Sequence, residues 1–596
     1  MMNTRLAPGL QRRLIGAPVL SLLTIALVFL GLGIGWRWPW PADEPRFALI
    51  AHEMITTHQW LIPHRAGELY PDKPPIFMWL IALGTLVTGS LKVAFLLPSL
   101  LGALATLGLT TDLTRRLYGP RIAWLAGLTL MLTAQFTLQA RTAQIDMLVT
   151  GFITLGLYGA LRHALLGPAP RWWYLGCVSM GLGVITKGVG FLPLLLLPAW
   201  FGMVWYQCHH TKRHHADSDH RVVPLTLRQL LIGLGLLVAA IACWVIPMAL
   251  YTSFSGDQAL MAYRDNILFR QTGQRYADSW HHLKPFYYYL LEVLPWAWLP
   301  GVLALPWVVP HWWRRLRLGD ARLWLPLSWL VLMVLFFSLS PGKRGVYMTP
   351  GTAMFVLALA PALPNLIRRL WLNRLAWGLA TLLGGVIGIV GLLLAVGLLD
   401  SATLGEDFTL NPWGWWLSIG VLTALIAWRV PPRRGLVSLG LWLAMFWILW
   451  ASWGYGVMDA HRSRSALMAE VALATGHQPL ALTDFDEENV LQAQQPIVQF
   501  GDGTPIDDQF ARMTAWLKEA PDIRWALVQD DELKGQPCVD RNTLISLDAR
   551  SDKGWWLLRA DSVAQCHGDE HAAPLYQAPT TWHRSSTLHH RDGLTP

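Results

Sequence analysis

Five short stretches of this chain place carboxylates and amines where chemistry can use them. PADEP (41–45) sets Asp43 beside Glu44, and YPDKPP (70–75) holds Asp72 and Lys73 between prolines, with Tyr70 at its head. AQIDML (143–148) puts Asp146 at the start of an apolar run. VITKGVGF (184–191) leaves Lys187 between two apolar runs, and SPGKRGVY (340–347) supplies Lys343 and Tyr347. A carboxylate can take the proton of an attacking hydroxyl, and fixed cations stabilise the charge that grows on a leaving group. One acid with a clamp of cations at headgroup level describes transfer of a sugar from a lipid phosphate, which needs no redox cofactor. Plainer readings stand beside these. Asp43 before Glu44-Pro45 sits as a helix N-cap, and Glu44 as helix-start charge. Asp146 is placed as a dipole partner, and Lys73 as an interfacial side chain that snorkels. An ionisable residue at the depth of Lys187 is a functional candidate by default.

The elements that must carry these residues are membrane helices. Of 596 residues, 53% are hydrophobic and 14% charged, against roughly a quarter charged in soluble domains. Thirteen apolar stretches approach the roughly 17–25 residues that cross a bilayer: 14–36, 93–113, 122–139, 146–165, 172–187, 189–207, 229–250, 286–310, 323–340, 347–364, 375–398, 413–428 and 435–453. A further stretch, 76–89, is short and reads as re-entrant or interfacial. If it does not cross, 22 Lys and Arg fall on the side of the N-terminus and 13 on the other side up to residue 453, nine of them in two long loops, 37–92 and 251–285. Basic loops stay cytoplasmic, so the expectation is an N-terminus inside and a C-terminus outside. The net charge of +9 then belongs to topology, not to nucleic-acid binding. All five stretches fall on the outer side.

Residues 1–453 thus form a polytopic all-α membrane domain with about 13 transmembrane helices. Residues 454–596 differ in composition. PLALTDF, PIVQF, IRWALVQ, NTLISL and GWWLLRA alternate as short strands, and SRSALMAEVALA and DDQFARMTAWLKEA read as amphipathic helices. The expectation is a small outer α/β domain with a disordered tail. Cys538 and Cys566 both lie in it and can pair if it faces an oxidising compartment. Cys177, Cys208 and Cys243 lie in or beside apolar spans. The His-rich tract 209–220 falls in an inner loop, remote from the acidic cluster.

At these residues the chain resembles the GT-C membrane glycosyltransferases of the protein O-mannosyltransferase superfamily, and most closely the lipid A aminoarabinose transferase branch. The motifs match in order: Asp43-Glu44; Tyr70, Asp72, Lys73 and Pro74; Asp146; Thr186-Lys187-Gly188; Arg270 before PFYYYL (285–290); and Lys343 with Tyr347. Each is weak alone, and six in order are specific. The resemblance covers residues 41 to about 350. It implies a GT-C fold and an inverting transfer of a hexosyl or pentosyl group. The donor would be a polyprenyl-phosphate sugar, and the acceptor a lipid, glycan or protein on the periplasmic face of a bacterial inner membrane. By resemblance Asp43 is the catalytic carboxylate, with Glu44 beside it and Asp146 as companion. Lys73, Arg270, Lys343, Tyr347, Lys187 and Tyr70 would hold the donor phosphate. Two positions depart from the branch: Asp72 replaces a Glu, and Asn266 stands where a His is usual. In the branch these positions contribute to a divalent metal site, so Asp72 is the metal candidate, and His281 and His282 are the loop histidines that could substitute. A transporter or flippase of lipid-linked sugars is the alternative. It calls for paired broken helices or inverted repeats near the midplane, and the sequence displays neither.

Overall fold

A computed structural model describes residues 16–210, 221–269, 283–400, 411–547, 554–568 and 576–577. Arg270, His281, His282, most of the His-rich tract and the C-terminal tail lie outside the described residues. Each of the thirteen apolar stretches contains helix. Six helices are long and apolar enough to cross a membrane, or eight if two sharply bent pairs each count as one span. The ambiguous stretch is the helix Ile76–Thr88, 13 residues long. At about 1.5 Å per residue it reaches only some 20 Å, short of a ~30 Å hydrocarbon core. It ends at Gly89, whose φ of 70° lets the chain turn away.

Two stretches expected as single spans are broken. Pro120–Met131 and Ala134–Ala140 meet at 67°, and Tyr289–Ala297 and Gly301–Arg317 at 106°. At the first bend Thr133 is extended (ψ 125°) and starts the next helix. At the second, Pro295 and Pro300 remove backbone donors that a continuous helix needs. The two bends touch: Ala134 N–H donates to the Leu299 carbonyl at 2.9 Å. The short arm Ala134–Ala140 then delivers the chain to Arg141 and Asp146, so the first break serves the acidic cluster.

The helices Ile145–Leu166 and Pro170–Lys187 form an antiparallel hairpin. Glycines let the two backbones approach. A Cβ at Gly159 would lie 2.2 Å from the Trp172 carbonyl, and one at Gly176 would lie 3.2 Å from that of Gly156. The arms are nearly equal about the turn at Gly167, so residue 146 and residue 187 finish at the same level.

The five segments read as strands in the C-terminal region are strands, and both amphipathic helices are present as Ser465–Thr475 and Ile506–Glu519. The sheet runs in the order Ile545–Leu547, Trp555–Leu558, Trp525–Gln529, Leu480–Leu482, Ile497–Gln499, Tyr576–Gln577. Leu480–Leu482 is parallel to both neighbours, and the outer pairs are antiparallel. Cys538 and Cys566 form a disulfide.

Glu532 follows the strand Trp525–Gln529, and burial pushes its carboxyl from the ordinary 4.5 up to about 7, against the Thr483 hydroxyl and Gln529 N–H that donate to it. A carboxyl raised in this way holds its proton in the folded state after the unfolded chain has lost it. Stability is therefore full below about pH 4.5 and falls as pH rises to about 7, by about 3 kcal/mol in all. Glu532→Gln removes this loss. Thermal unfolding of the full chain at pH 5 and pH 8 is expected to show a smaller drop in the variant than in the wild type, and equal drops would refute the assignment.

Candidate active site

Asp43 occupies the N-cap position of the helix Glu44–Thr57 but makes no side-chain cap hydrogen bond. Pro45 in the first turn suits the helix start without it. The Asp43 carboxylate instead accepts from Gln144 Nε2 and from Arg344 Nη2, both at 3.1 Å from Oδ2. It also lines a cavity of about 130 Å³ with Trp40, Gln144, Trp450, Tyr455 and Arg462. Two residues beyond Gln144, Asp146 pairs with Lys187 across the hairpin. Asp146 stands at a helix N-terminus and Lys187 at the C-terminus of the next helix, so each also faces the favourable end of a helix dipole. Gly188, with φ 84°, ends the second helix directly after Lys187. The Lys187 ammonium sits 4.9 Å from the centre of the Tyr347 ring, which in turn packs on Phe337. Gln135 on the short arm donates to the Gly345 carbonyl at 2.7 Å and holds the 343–347 segment in place. Asp43, Asp146, Lys187 and Tyr347, up to 304 residues apart in the chain (347 minus 43), thus converge with Arg344.

Four sequence candidates have other surroundings. Glu44 is 3% exposed. It takes both terminal nitrogens of Arg37, at 2.5 and 2.8 Å, and the N–H groups of Trp40 and Ala143, each at 2.8 Å. A carboxylate so saturated holds the PADEP loop against residues 141–143 and has no lone pair turned to a substrate. Lys343 is 4% exposed, and its ammonium donates to the carbonyls of Lys284 and Ser340 at 2.9 and 2.6 Å. It fastens the start of PFYYYL to the SPGK turn, while Arg344 presents the charge. Tyr70 is buried at 4% exposure, and burial with the Asp72 charge holds its phenol well above the ordinary value. The Lys73 ammonium donates to the Asp72 carbonyl at 2.9 Å.

The dolichyl-phosphate-mannose-protein mannosyltransferase family model matches residues 72–217. An undecaprenyl phosphate-alpha-4-amino-4-deoxy-L-arabinose arabinosyl transferase of Pseudomonas fluorescens is 29% identical over 359 residues, 59% of this chain and 60% of that protein. One from Pseudomonas aeruginosa PAO1 is 29% identical over 409 residues, 66% of this chain and 68% of that protein. The P. fluorescens matches thus span only 51–60% of those relatives' length. The crystal structure of ArnT from Cupriavidus metallidurans bound to undecaprenyl phosphate superposes with a TM-score of 0.69 at 18% identity, covering 94% of this chain and 100% of that one. Its apo state superposes with a TM-score of 0.68. The chain has the GT-C fold. Its sequence is similar to those of the aminoarabinose transferases over about 60% of its length, and the sequence resemblance and the fold agree.

Among the described residues of this GT-C chain no group of three or more His, Cys, Asp or Glu stands close enough to hold a metal ion. His281 and His282, the loop histidines that could join Asp72, lie outside the described residues.

The residues that sequence reasoning missed are Arg344, Gln144, Arg37 and Arg141. Arg344 lies next to the residue that was chosen, and Gln144 two before Asp146. Arg141 is 4% exposed and donates to the Leu32 carbonyl at 3.0 Å and to that of Phe29, and its own carbonyl accepts from Arg37 at 3.1 Å. Polar residues that serve other polar residues carry no periodicity, and a single sequence gives no signal for them.

Proposed function

We propose that this protein is an inverting glycosyltransferase that moves a sugar from a polyprenyl phosphate to an acceptor on the periplasmic face of a bacterial inner membrane. Its 13 transmembrane helices would leave the N-terminus in the cytoplasm and residues 454–596 as a periplasmic domain. The Cys538–Cys566 disulfide suits that oxidising side. The observation that carries the reading is Asp43: a carboxylate at a helix start, excused from capping and set against a cation and a cavity.

The steps balance without a cofactor. The donor phosphate is held by Arg344 and Lys187, with Lys73 and Arg270 as further candidates and Tyr347 orienting Lys187. As the phosphate takes Arg344, the Asp43 carboxylate is left to the acceptor hydroxyl. The hydroxyl oxygen attacks the anomeric carbon from the face opposite the phosphate and its proton passes to Asp43. The bond from carbon to phosphate oxygen breaks, the electron pair leaves with the lipid phosphate, and the new glycosidic bond has inverted configuration. Arg344 and Lys187 stabilise the departing charge. Asp146 keeps Lys187 in place, and Glu44 and Lys343 are positioning residues.

The test is a deletion strain examined by mass spectrometry of lipid A and envelope glycoproteins, with purified protein assayed for undecaprenyl phosphate binding. The expected result is one missing sugar on one acceptor class, restored by the wild-type gene, and at least tenfold weaker binding by Arg344→Gln. An unchanged envelope with altered leaflet distribution of the lipid-linked sugar would overturn the reading in favour of a flippase.

A further inference from the structure

The C-terminal unit reaches back to the helix that Asp43 begins. Arg46 lies in the first turn of that helix, and its Nε donates to Glu487 Oε1 at 2.7 Å. Arg65, in the small hairpin His64–Arg65/Glu68–Leu69, donates to the same oxygen at 3.0 Å and also pairs with Asp502. The hairpin is held further by Gln499, which donates to the Ala66 carbonyl at 2.9 Å, and by Glu68, which accepts from the Asp502 N–H at 2.9 Å. Glu487 is 14% exposed, Arg65 18% and Arg46 27%. Pairs so shielded are screened far less than surface pairs. One carboxylate oxygen thus gathers two guanidinium groups from two elements of the outer loop. The first element carries Asp43, and the second runs on to Tyr70 and Lys73. Glu44 anchors the start of the helix, but the Asp43 carboxylate makes no cap bond to it, so a tilt or rotation of Glu44–Thr57 about that anchor moves the carboxylate relative to Arg344. A shift of about 1 Å at a reacting group can cost on the order of 100-fold in rate.

We propose that Glu487 is a positioning residue for the transfer site, so that the C-terminal unit completes the active site by locking the helix of Asp43 through Arg46 and Arg65. The inference rests on the reading of Asp43 given above. The full-length protein is tested as Glu487→Ala, Arg46→Ala and the double variant. Sugar transfer is measured by mass spectrometry in the complemented deletion strain, affinity with undecaprenyl phosphate, and order in the helix by hydrogen exchange. Glu487→Ala is expected to lower transfer about tenfold and to speed exchange in residues 44–57. Affinity for undecaprenyl phosphate should change less than about twofold, because Lys187 and Arg344 lie on other elements and the hairpin before Lys73 keeps its bonds to Gln499 and Asp502. The double variant should be no worse than the worse single one. If Glu487→Ala is not recovered from membranes, Glu487→Gln carries the same measurements with a smaller expected loss. Wild-type transfer by the Glu487 variant, or losses that multiply in the double variant, would overturn the lock. Asp43→Asn runs in parallel: an inactive Asp43→Asn beside a fully active Glu487 variant removes only the lock, whereas an active Asp43→Asn removes the reading beneath it.

Discussion

Asp43→Asn is expected to lower sugar transfer by about 10³-fold while the protein still inserts and folds. The substitution keeps the shape of the side chain and the contact with Gln144. It removes the negative charge and the second lone pair that would accept the acceptor's proton. A positioned general base contributes typically 10²–10⁴-fold, and the neighbouring acids cannot stand in. Glu44 is saturated by Arg37, Trp40 and Ala143, and Asp146 is engaged by Lys187. Folding should hardly change, because Asp43 caps nothing and its partner Arg344 is partly exposed, with 38% of its side chain accessible. The same change has a second readout. Arg344, no longer paired with a carboxylate, is free for the donor phosphate, so undecaprenyl phosphate should bind at least as tightly as before. Transfer rates in membranes, together with binding to purified protein, check both. A variant that transfers at the wild-type rate ends the assignment.

Glu44→Ala, one residue away, has the opposite signature. Arg37 is 2% exposed, and the change leaves its guanidinium buried without a counter-charge. The Trp40 and Ala143 N–H groups lose their acceptor at the same time. Breaking a buried pair by removing one partner costs about 3–5 kcal/mol, and each orphaned donor adds to it. Arg37 also lies against the rings of Trp40, Tyr455 and Phe95, at 4.4, 5.1 and 5.2 Å. The packing of residues 37–44 against the last span therefore loosens with it. The expected outcome is a markedly lower thermal midpoint in detergent and fast hydrogen exchange over residues 37–47, with transfer lost as a consequence. Glu44→Gln, which keeps an acceptor, should fall between. An unchanged midpoint in Glu44→Ala would show that the buried pair contributes nothing. Two adjacent carboxylates are thus separable: one variant loses rate without stability, the other loses both.

Much of the architecture is legible from the chain alone because it follows from local spacing. The apolar runs contain helix, the stretch 76–89 is a short helix, and the five alternating segments of the C-terminal region are strands. Each depends only on which residues lie two, three or four positions apart. The meeting of Asp146 with Lys187 also follows from counting, since a turn at Gly167 with arms of similar length returns the chain to its starting level. The bend after Met131 has no proline to announce it, whereas Pro295 and Pro300 mark the one after Ala297. The contact between Ala134 and Leu299 that brings the two bends together joins segments that local spacing cannot relate.

Neighbouring residues of like chemistry mark the boundary most sharply. The sequence carries an acidic pair at 43–44 and a basic pair at 343–344, and the structure brings the two together. Composition and order predict only that both lie on one side of the membrane. They cannot say which member of each pair faces the site. Where the backbone is extended, as at Arg344 (φ −123°, ψ 138°), successive side chains point to opposite sides. At the start of a helix, consecutive side chains diverge by about 100°. One member of each pair must then turn inward and be satisfied by the protein, Glu44 by Arg37 and Lys343 by backbone carbonyls. The other, Asp43 or Arg344, is left to its opposite number, and Asp43 also lines the cavity. That choice is made by the direction in which the packed helices feed the chain into the loop, a property of the assembled fold that no local pattern encodes.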